Sequence, residues 1–175
     1  MPDVWVNRPD IRLSGVCFGH QILCRVLGSK VDSTPESRWE LAHTEIKLTP
    51  LGTKLFKSKE GKIHLHQMHQ DHVVDAPSPS TTELLDEGTE VSVWGSSDTT
   101  GVQGVYIRRR LFTSQGHLGF DEQMVKQQIQ QRVDSGSIQD TKDADAAKDK
   151  AHWEHDGELV AGAILRFFHG DDDKI

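Results

Sequence analysis

The 175-residue sequence lacks several features that would place it in common functional classes. Cysteine occurs only twice, at Cys17 and Cys24, so no disulfide framework of a secreted protein is visible, and a reducing compartment is expected. No apolar run is long enough to cross a membrane, and the first residues lack the basic end and apolar run of a signal peptide. The formal net charge of −7 argues against a general nucleic-acid binder. These absences predict a cytoplasmic protein with no nucleic-acid or membrane partner.

The chain has the length of one ordinary domain, with no internal repeat. We expect an α/β domain over 1–133, incomplete at its N-terminus. The segment 134–156 is charged and almost free of large apolar side chains, which predicts a polar linker or excursion. Apolar residues then return at helical spacing over 157–169, so a closing helix is expected to pack on the same domain. Residues 170–175 are interpreted as an acidic tail.

Hydrophobic patterning predicts strands and helices along the domain. Strands are predicted at 11–16, 40–48, 62–68, 90–94, 101–107 and 110–114, and helices at 21–27, 121–132 and 158–168. This mixture favours a doubly wound, mostly parallel sheet flanked by helices. Such a sheet usually lays down other strands before the one that carries a functional site. Here the strand at 11–16 comes first, so the sheet is expected to lack its first strands.

One short stretch carries candidate chemistry. The sequence Gly15-Val16-Cys17-Phe18-Gly19 places a cysteine between a predicted strand and a predicted helix, with glycine two residues away on each side. On a sharp strand-to-helix turn, glycines let the chain close without side-chain clashes, and the free N–H groups of the helix favour the thiolate. The alternative interpretation is a small buried cysteine in a glycine-rich turn, because this pattern is short.

A distant histidine favours the catalytic interpretation. His117 follows the strand predicted at 110–114 and precedes the helix predicted at 121–132. A cysteine hydrolase needs a histidine that is far away in sequence and near in space. The ends of two strands in one sheet can bring such residues together.

Four segments together resemble the class I glutamine amidotransferases. GVCFGHQ at 15–21 looks like their nucleophile-elbow signature, and SQGHLGF at 114–120 resembles the segment that carries their catalytic histidine. WELA at 39–42 and HQMHQDHV at 66–73 are similar to middle segments of the free-standing branch, which includes γ-glutamyl peptidases and fungal amidotransferase-like proteins. The order and spacing agree from about residue 12 to residue 132. The resemblance implies the flavodoxin-like layering of that family.

The resemblance also implies roles for individual residues. Cys17 would attack the γ-carbonyl of glutamine or of a γ-glutamyl small molecule and form a thioester. His117 would take the thiol proton and return it to the leaving group. Phe18 would contribute its backbone N–H to the oxyanion, and Gly19 and Gln21 would help to shape the substrate site. The resemblance implies no cofactor and no metal.

Two departures from the family pattern predict impaired activity. The histidine is typically followed by Pro-Glu, whose glutamate orients the imidazole, but Leu118 and Gly119 stand here. Asp121 and Glu122 lie too far along the chain to substitute. The family also has strands and a glycine-rich oxyanion loop before the elbow, and residues 1–13 contain neither. We therefore expect an N-terminally truncated member with an exposed sheet edge, which favours self-association.

Histidines cluster outside the suspected site. Four of the ten histidines lie between His64 and His72. Two of them, His64 and His66, would share one face of a strand, and a bend could bring others to a common zinc ion. No paired cysteines or HExxH spacing support this, so we interpret the segment as a pocket wall, with a metal-binding protein as the alternative.

Three functions remain open from the sequence. The first is cysteine-dependent hydrolysis of glutamine or a γ-glutamyl amide, impaired in this chain. The second is a catalytically inactive remnant or isoform with a binding role, and the third is the histidine-cluster metal binder. No ATP-binding signature is found, so amide synthesis would need a synthetase partner, which the sequence does not identify.

Overall fold

The computed structural model describes residues 2–171 of the chain. The strands are β1 (Leu13–Val16), β2 (Val31–Ser33), β3 (Glu40–Leu48), β4 (Lys62–His69), β5 (Asp71–Val73), β6 (Ser92–Ser96), β7 (Gly104–Ile107) and β8 (Leu111–Ser114). The helices are α1 (Pro2–Asn7), α2 (Phe18–Val26), α3 (Pro50–Phe56), α4 (Glu122–Asp134), α5 (Thr141–Asp149) and α6 (Gly157–His169). No helix within these residues is long and apolar enough to span a bilayer.

Six of the strands form one sheet in the order β1-β8-β7-β6-β3-β4, and β2 and β5 form a separate antiparallel pair. Helices pack on the large sheet, which confirms the expected α/β fold. Within residues 2–171, β1 pairs with β8 alone and forms one end of the sheet. The pairing brings the last residue of β1, Val16, opposite the last residue of β8, Ser114. The two chain segments that carry the suspected site therefore leave the sheet side by side.

The directions of the strands differ from the expectation of a mostly parallel sheet. In the described part of the chain only the β1–β8 pairing is parallel, whereas the pairings β3–β4, β3–β6, β6–β7 and β7–β8 are antiparallel. A parallel pair needs a crossover of about a dozen residues or more. The three residues between β7 and β8 can form only a hairpin. The parallel geometry is thus confined to the pair that positions the site.

Apolar side chains of β7 and β8 alternate between two cores on opposite faces of the sheet, as pleating requires. Tyr106 and Phe112 join a cluster under α3 and α6 that contains the buried rings of Phe56, Trp94 and Phe167. The other cluster, on the α2 side, is built from the following side chains: Leu23, Cys24, Leu27, Val105, Ile107 and Leu111. The sheet that carries the site is thus covered on both faces.

The segment 134–156, expected to be a polar linker or excursion, contains the helix α5. Ala144, Ala147 and Ala151 are buried in a third cluster with Ile129 of α4 and Met68 of β4. Because alanine is small, the helix lies close to its neighbours while most of its surface stays charged. The sequence pattern missed this helix because its buried face holds no large apolar side chain.

The helices α4 and α6 match their sequence signals. Asp121 caps α4 by accepting a hydrogen bond from the Met124 N–H at 2.7 Å, which is typical of an aspartate at the N-cap position. The helix α6 ends at Gly170, whose φ of 84° is the left-handed conformation typical of a C-terminal cap. The predicted acidic tail at 170–175 lies outside the described residues from residue 172 onward.

Candidate active site

Cys17 occupies a strained junction between β1 and α2. Its φ of 52° and ψ of −109° are rare for a residue with a side chain, and such a backbone persists only where its surroundings hold it. Two hydrogen bonds hold it here. The Cys17 N–H donates to the Ser114 carbonyl at 2.8 Å, and the Cys17 carbonyl accepts from the Gln21 N–H at 3.1 Å. This is the strand-turn-helix geometry of a nucleophile elbow.

The two glycines that flank the cysteine have different environments. A Cβ atom on Gly15 would lie 2.6 Å from the backbone C and O atoms of Gly19 and 2.7 Å from Leu23 Cδ1. A Cβ atom on Gly19 would meet nothing within 4 Å. Gly15 is therefore required because the first turn of α2 lies directly against β1. The structure gives no packing reason for glycine at position 19.

The pKa of the Cys17 thiol is raised, although hydrogen-bond donors at the elbow favour the thiolate. Burial raises its pKa, and this effect outweighs three groups that favour the thiolate: the Phe18 N–H, the charge of Arg132 and the Gln115 side chain. The expected net stabilisation of the thiolate by the helix N-terminus is therefore not found. Burial raises the pKa of the second cysteine, Cys24, to about 12. The fully buried Cys24 belongs to the core, as expected from the sequence.

His117 lies three residues after the end of β8 and is held by backbone and ring contacts. Its N–H donates to the His66 carbonyl at 2.9 Å, and its ring stacks on Phe120 with 3.9 Å between centroids. Burial lowers its pKa to about 4, with further lowering by the charges of His69 and Arg132. The imidazole is therefore neutral at pH 7, which is the state that a general base requires.

No ion pair joins His117 to a carboxylate within residues 2–171. The nearest carboxylates in sequence have other partners: Asp121 caps α4, and Glu122 pairs with Lys126 at 2.6 Å. This agrees with the expectation that neither would replace a glutamate at position 119. A Cβ atom on Gly119 would meet nothing within 4 Å, so the position has room for a side chain.

Cys17 and His117 are both influenced by the same cation. The positive charge of Arg132 lowers the pKa of each group. Arg132 lies on α4, 5.5 Å from the centroid of the Trp39 ring. The Trp39 side chain also lines a cavity of about 530 Å³ with Arg38 and Gln70, among other residues. Cys17 and His117 do not line this cavity.

Gln21 and Gln115 connect α2 with the loop after β8. Gln21 Nε2 donates to the Asp71 carbonyl at 2.6 Å and to Gln115 Oε1 at 3.1 Å. The amide nitrogen of Gln21, a predicted substrate-site residue, is therefore committed to the protein. The side chain of Phe18, by contrast, is exposed. Phe18 acts on the site through its backbone N–H, which lowers the pKa of Cys17. Gln115 was not singled out from the sequence, although it lies two residues before His117.

A buried histidine–glutamate contact joins the neighbouring strands β3 and β4. His69 Nε2 is 3.0 Å from Glu40 Oε2, and both side chains are almost inaccessible to solvent. Burial alone would raise the pKa of Glu40, but His69, Ser97 and Thr100 together hold it below its ordinary value. His69 Nδ1 also lies 3.0 Å from the Asp71 carbonyl that receives Gln21. Both residues lie in segments that resemble the family, but the sequence gave no signal that they would pair. Their contact joins β3 to β4.

Two further histidines of the cluster, His64 and His66, form ring contacts. His64 stacks on His43 with 4.6 Å between centroids, and His66 lies 4.7 Å from His155, so the shared strand face expected for His64 and His66 is present. Burial, followed by the neighbouring histidine charges, lowers the pKa of His66 to about 4. In the part of the chain that the structure describes, no three His, Cys, Asp or Glu residues are placed to hold a metal ion.

Comparisons with known proteins agree with this geometry. A glutamine amidotransferase-like protein of Schizosaccharomyces pombe is 31% identical over 165 residues, which are 94% of this chain and 60% of that protein. A protein of Saccharomyces cerevisiae named as a glutamine amidotransferase is 31% identical over 128 residues, which are 73% of this chain and 45% of its own length. The chain therefore spans about half to three-fifths of these relatives.

A solved structure shows the same fold. The crystal structure of a glutamine amidotransferase from Thermotoga maritima superposes with a TM-score of 0.64 at 19% identity, covering 95% of this chain and 64% of that one. The sequence profile of the family described as glutamine amidotransferase class-I matches residues 5–132, which include the elbow and His117. The chain therefore belongs to the class I glutamine amidotransferase family.

Proposed function

We propose that this domain hydrolyses glutamine or a γ-glutamyl amide through a thioester on Cys17, at a rate well below that of a complete site. The left-handed backbone of Cys17 is the observation that carries the proposal. A structural cysteine has no need of a conformation that costs of order 1–3 kcal/mol. The strand before Cys17 pairs in parallel with β8, which leads to the neutral His117, and a catalytic role would explain that cost.

The first half of the reaction forms the thioester. His117 takes the proton of the Cys17 thiol, and the sulfur adds to the γ-carbonyl carbon while the carbonyl electron pair moves to oxygen. The Phe18 N–H donates to that oxygen. When the carbonyl re-forms, the C–N bond breaks, and His117 gives its proton to the departing nitrogen. Ammonia or an amine leaves, and the acyl group remains on sulfur.

The second half regenerates the enzyme. His117 takes a proton from water as the water oxygen adds to the thioester carbon. Collapse then breaks the C–S bond, and Cys17 regains its proton from His117. The product is the γ-carboxylate. Because Gln21 uses its amide nitrogen within the protein, the contact that we propose for it with substrate is through its Oε1, which suits an ammonium group.

The expected impairment follows from the surroundings of His117. Phe120 stacks on the imidazole, and a stacking contact fixes the plane of the ring but holds neither nitrogen in a defined tautomer. Loss of an orienting carboxylate lowers kcat by several powers of ten in enzymes that depend on one. Gly119 therefore also favours a second candidate function, a catalytically inactive domain that binds glutamine or a γ-glutamyl small molecule.

The test is release of ammonia from glutamine, measured with the unmodified chain, Cys17→Ser and Cys24→Ala. We expect slow release that Cys17→Ser abolishes and Cys24→Ala retains. Gly119→Glu should raise the rate, because the position has room for the side chain and the family pattern places the orienting glutamate there. Gly119→Ala is the matched control, since it adds a Cβ without a carboxylate.

The outcomes separate the two candidates. Hydrolysis that persists in Cys17→Ser would refute the cysteine mechanism. If neither the unmodified chain nor Gly119→Glu releases ammonia but both bind glutamine in calorimetry, the inactive binding domain is the correct function.

A further inference from the structure

The orientation of the Gln115 amide is fixed by a chain of hydrogen bonds. The Asp71 carbonyl can only accept, so the group of Gln21 that faces it at 2.6 Å must be the nitrogen. The same nitrogen faces Gln115 at 3.1 Å, so the group of Gln115 at that contact must be the oxygen. The Gln115 Nε2 therefore points the other way.

That nitrogen is buried and has no partner in the resting structure. The Gln115 side chain is fully inaccessible to solvent, and no acceptor forms a hydrogen bond with its Nε2 among the described residues. Buried polar atoms are almost always satisfied, and exceptions are often found where an atom has a functional task. The backbone of Gln115 is also held in place, because its N–H donates to the Gln103 carbonyl at 2.8 Å.

The Gln115 side chain lies beside the elbow. Gln115 directly follows Ser114, whose carbonyl receives the Cys17 N–H, and its Oε1 accepts from Gln21, whose backbone N–H donates to the Cys17 carbonyl. The Gln115 side chain lowers the pKa of Cys17. Only an N–H group can have this effect, because a carbonyl oxygen aimed at sulfur would destabilise the anion.

We propose that Gln115 is a catalytic residue whose Nε2–H donates to the Cys17 sulfur as it becomes a thiolate. The inference rests on the proposed function. The resting thiol offers only a weak acceptor, and deprotonation by His117 turns the sulfur into a strong one. The Gln115 side chain, just after β8, and the Phe18 N–H, at the start of α2, then both donate to the anion. Together they offset part of the increase in the Cys17 pKa that burial causes.

The experiment measures the thiolate directly, without relying on turnover. Alkylation of Cys17 by iodoacetamide is followed across pH by peptide mass in the unmodified chain, in Gln115→Met and in Gln115→Glu. Methionine keeps the length of the side chain without a donor, and glutamate keeps the acceptor for Gln21 without the N–H. Hydrogen bonds to charged groups are strong enough to change a proton equilibrium by about tenfold or more.

We expect both variants to alkylate at Cys17 at least about tenfold more slowly at pH 7, with the profile shifted to higher pH by about one unit or more. Gln67→Met is the matched control, because Gln67 is an equally buried amide whose Nε2 donates to Gln103 Oε1 at 2.9 Å. Its Cys17 profile should equal that of the unmodified chain. Urea unfolding of each protein verifies that it is folded, and glutamate is the variant used if methionine prevents folding.

Turnover provides an independent readout. If Gln115 acts on the thiolate, the pH profile of kcat/KM for glutamine should shift to alkaline pH in Gln115→Met, and the lost rate should return as the pH rises. A merely structural role would lower the rate without moving the profile.

The inference is overturned if the Cys17 alkylation profile is unchanged in the folded Gln115 variants, or if Gln67→Met moves it equally. Failure of the proposed function gives a different result: the unmodified chain and Gly119→Glu would release no ammonia, while the alkylation profiles would still decide whether Gln115 donates to the sulfur.

Discussion

Replacement of Gly15 by alanine should destabilise the elbow, whereas the same change at Gly19 should not. The new Cβ at position 15 would lie 2.6 Å from two backbone atoms of Gly19 and 2.7 Å from Leu23 Cδ1. Apolar contacts normally lie at about 3.5–4.0 Å, so the atom is about 1 Å too close to its neighbours. A side chain could rotate away, but the backbone of Gly19 moves only if the first turn of α2 shifts from β1.

The magnitude follows from the cost of overpacking. An added methyl group in a closely packed site costs typically about 1–3 kcal/mol. With a urea m-value of about 2 kcal/mol/M, a loss of about 2 kcal/mol lowers the unfolding midpoint by about 1 M. Gly19→Ala should leave the midpoint unchanged or raise it, because alanine is favoured over glycine in a helix by roughly 0.5–1 kcal/mol.

The assay is urea unfolding of the two variants and the unmodified chain under one set of conditions. Far-ultraviolet circular dichroism follows the helices, and Trp fluorescence follows the core. Equal midpoints for Gly15→Ala and Gly19→Ala would refute the argument that α2 lies directly on the glycine of β1.

Three further predictions follow from buried groups. Burial lowers the pKa of His20 to about 3, below the ordinary 6.5, so the neutral ring stabilises the fold above about pH 6.5 and this stability falls as the pH drops. The urea midpoint should therefore be lower at pH 5 than at pH 7, and a constant midpoint would contradict this. Glu40→Gln should cost about 1–3 kcal/mol in urea unfolding, because it leaves the buried His69 Nε2 without its carboxylate partner. A loss below about 1 kcal/mol would contradict the pairing, and Glu40→Gln with His69→Gln should recover part of the loss. Alkylation between pH 7 and pH 9 should modify Cys17 and spare the inaccessible Cys24, whose pKa is about 12. Equal labelling of the two in folded protein would disprove that difference.

Local patterns in the sequence determined several features of the structure. Glu40–Leu48 was predicted as a strand and is β3, because its apolar residues mark one buried face. Asp121 was predicted to start a helix and caps α4 through its side chain. Glycine on the strand side of Cys17 predicted the elbow. These features are local: each depends on residues within about one turn or one strand, so neighbouring positions suffice to encode them.

Two helices that were not predicted, α3 and α5, also begin with local signals. The helix α3 begins at Pro50 after Thr49, whose side chain accepts a hydrogen bond from the Gly52 N–H at 3.2 Å. Threonine followed by proline is a helix-start signal, so this helix could have been predicted. The helix α5 had a similar signal in Asp140, but its alanine face gave too weak an apolar pattern.

The chemistry of the site was decided only by tertiary structure. Gln115 lies beside the Cys17 elbow because β8 lies parallel to β1, which brings together residues separated by about a hundred positions. Glu40 meets His69 because β3 pairs with β4 in one particular register. Burial then sets which of these groups carry charge, since the same thiol or imidazole in water would keep its ordinary pKa. A sequence states which groups are available, but their protonation and partners depend on distances that only the folded sheet fixes.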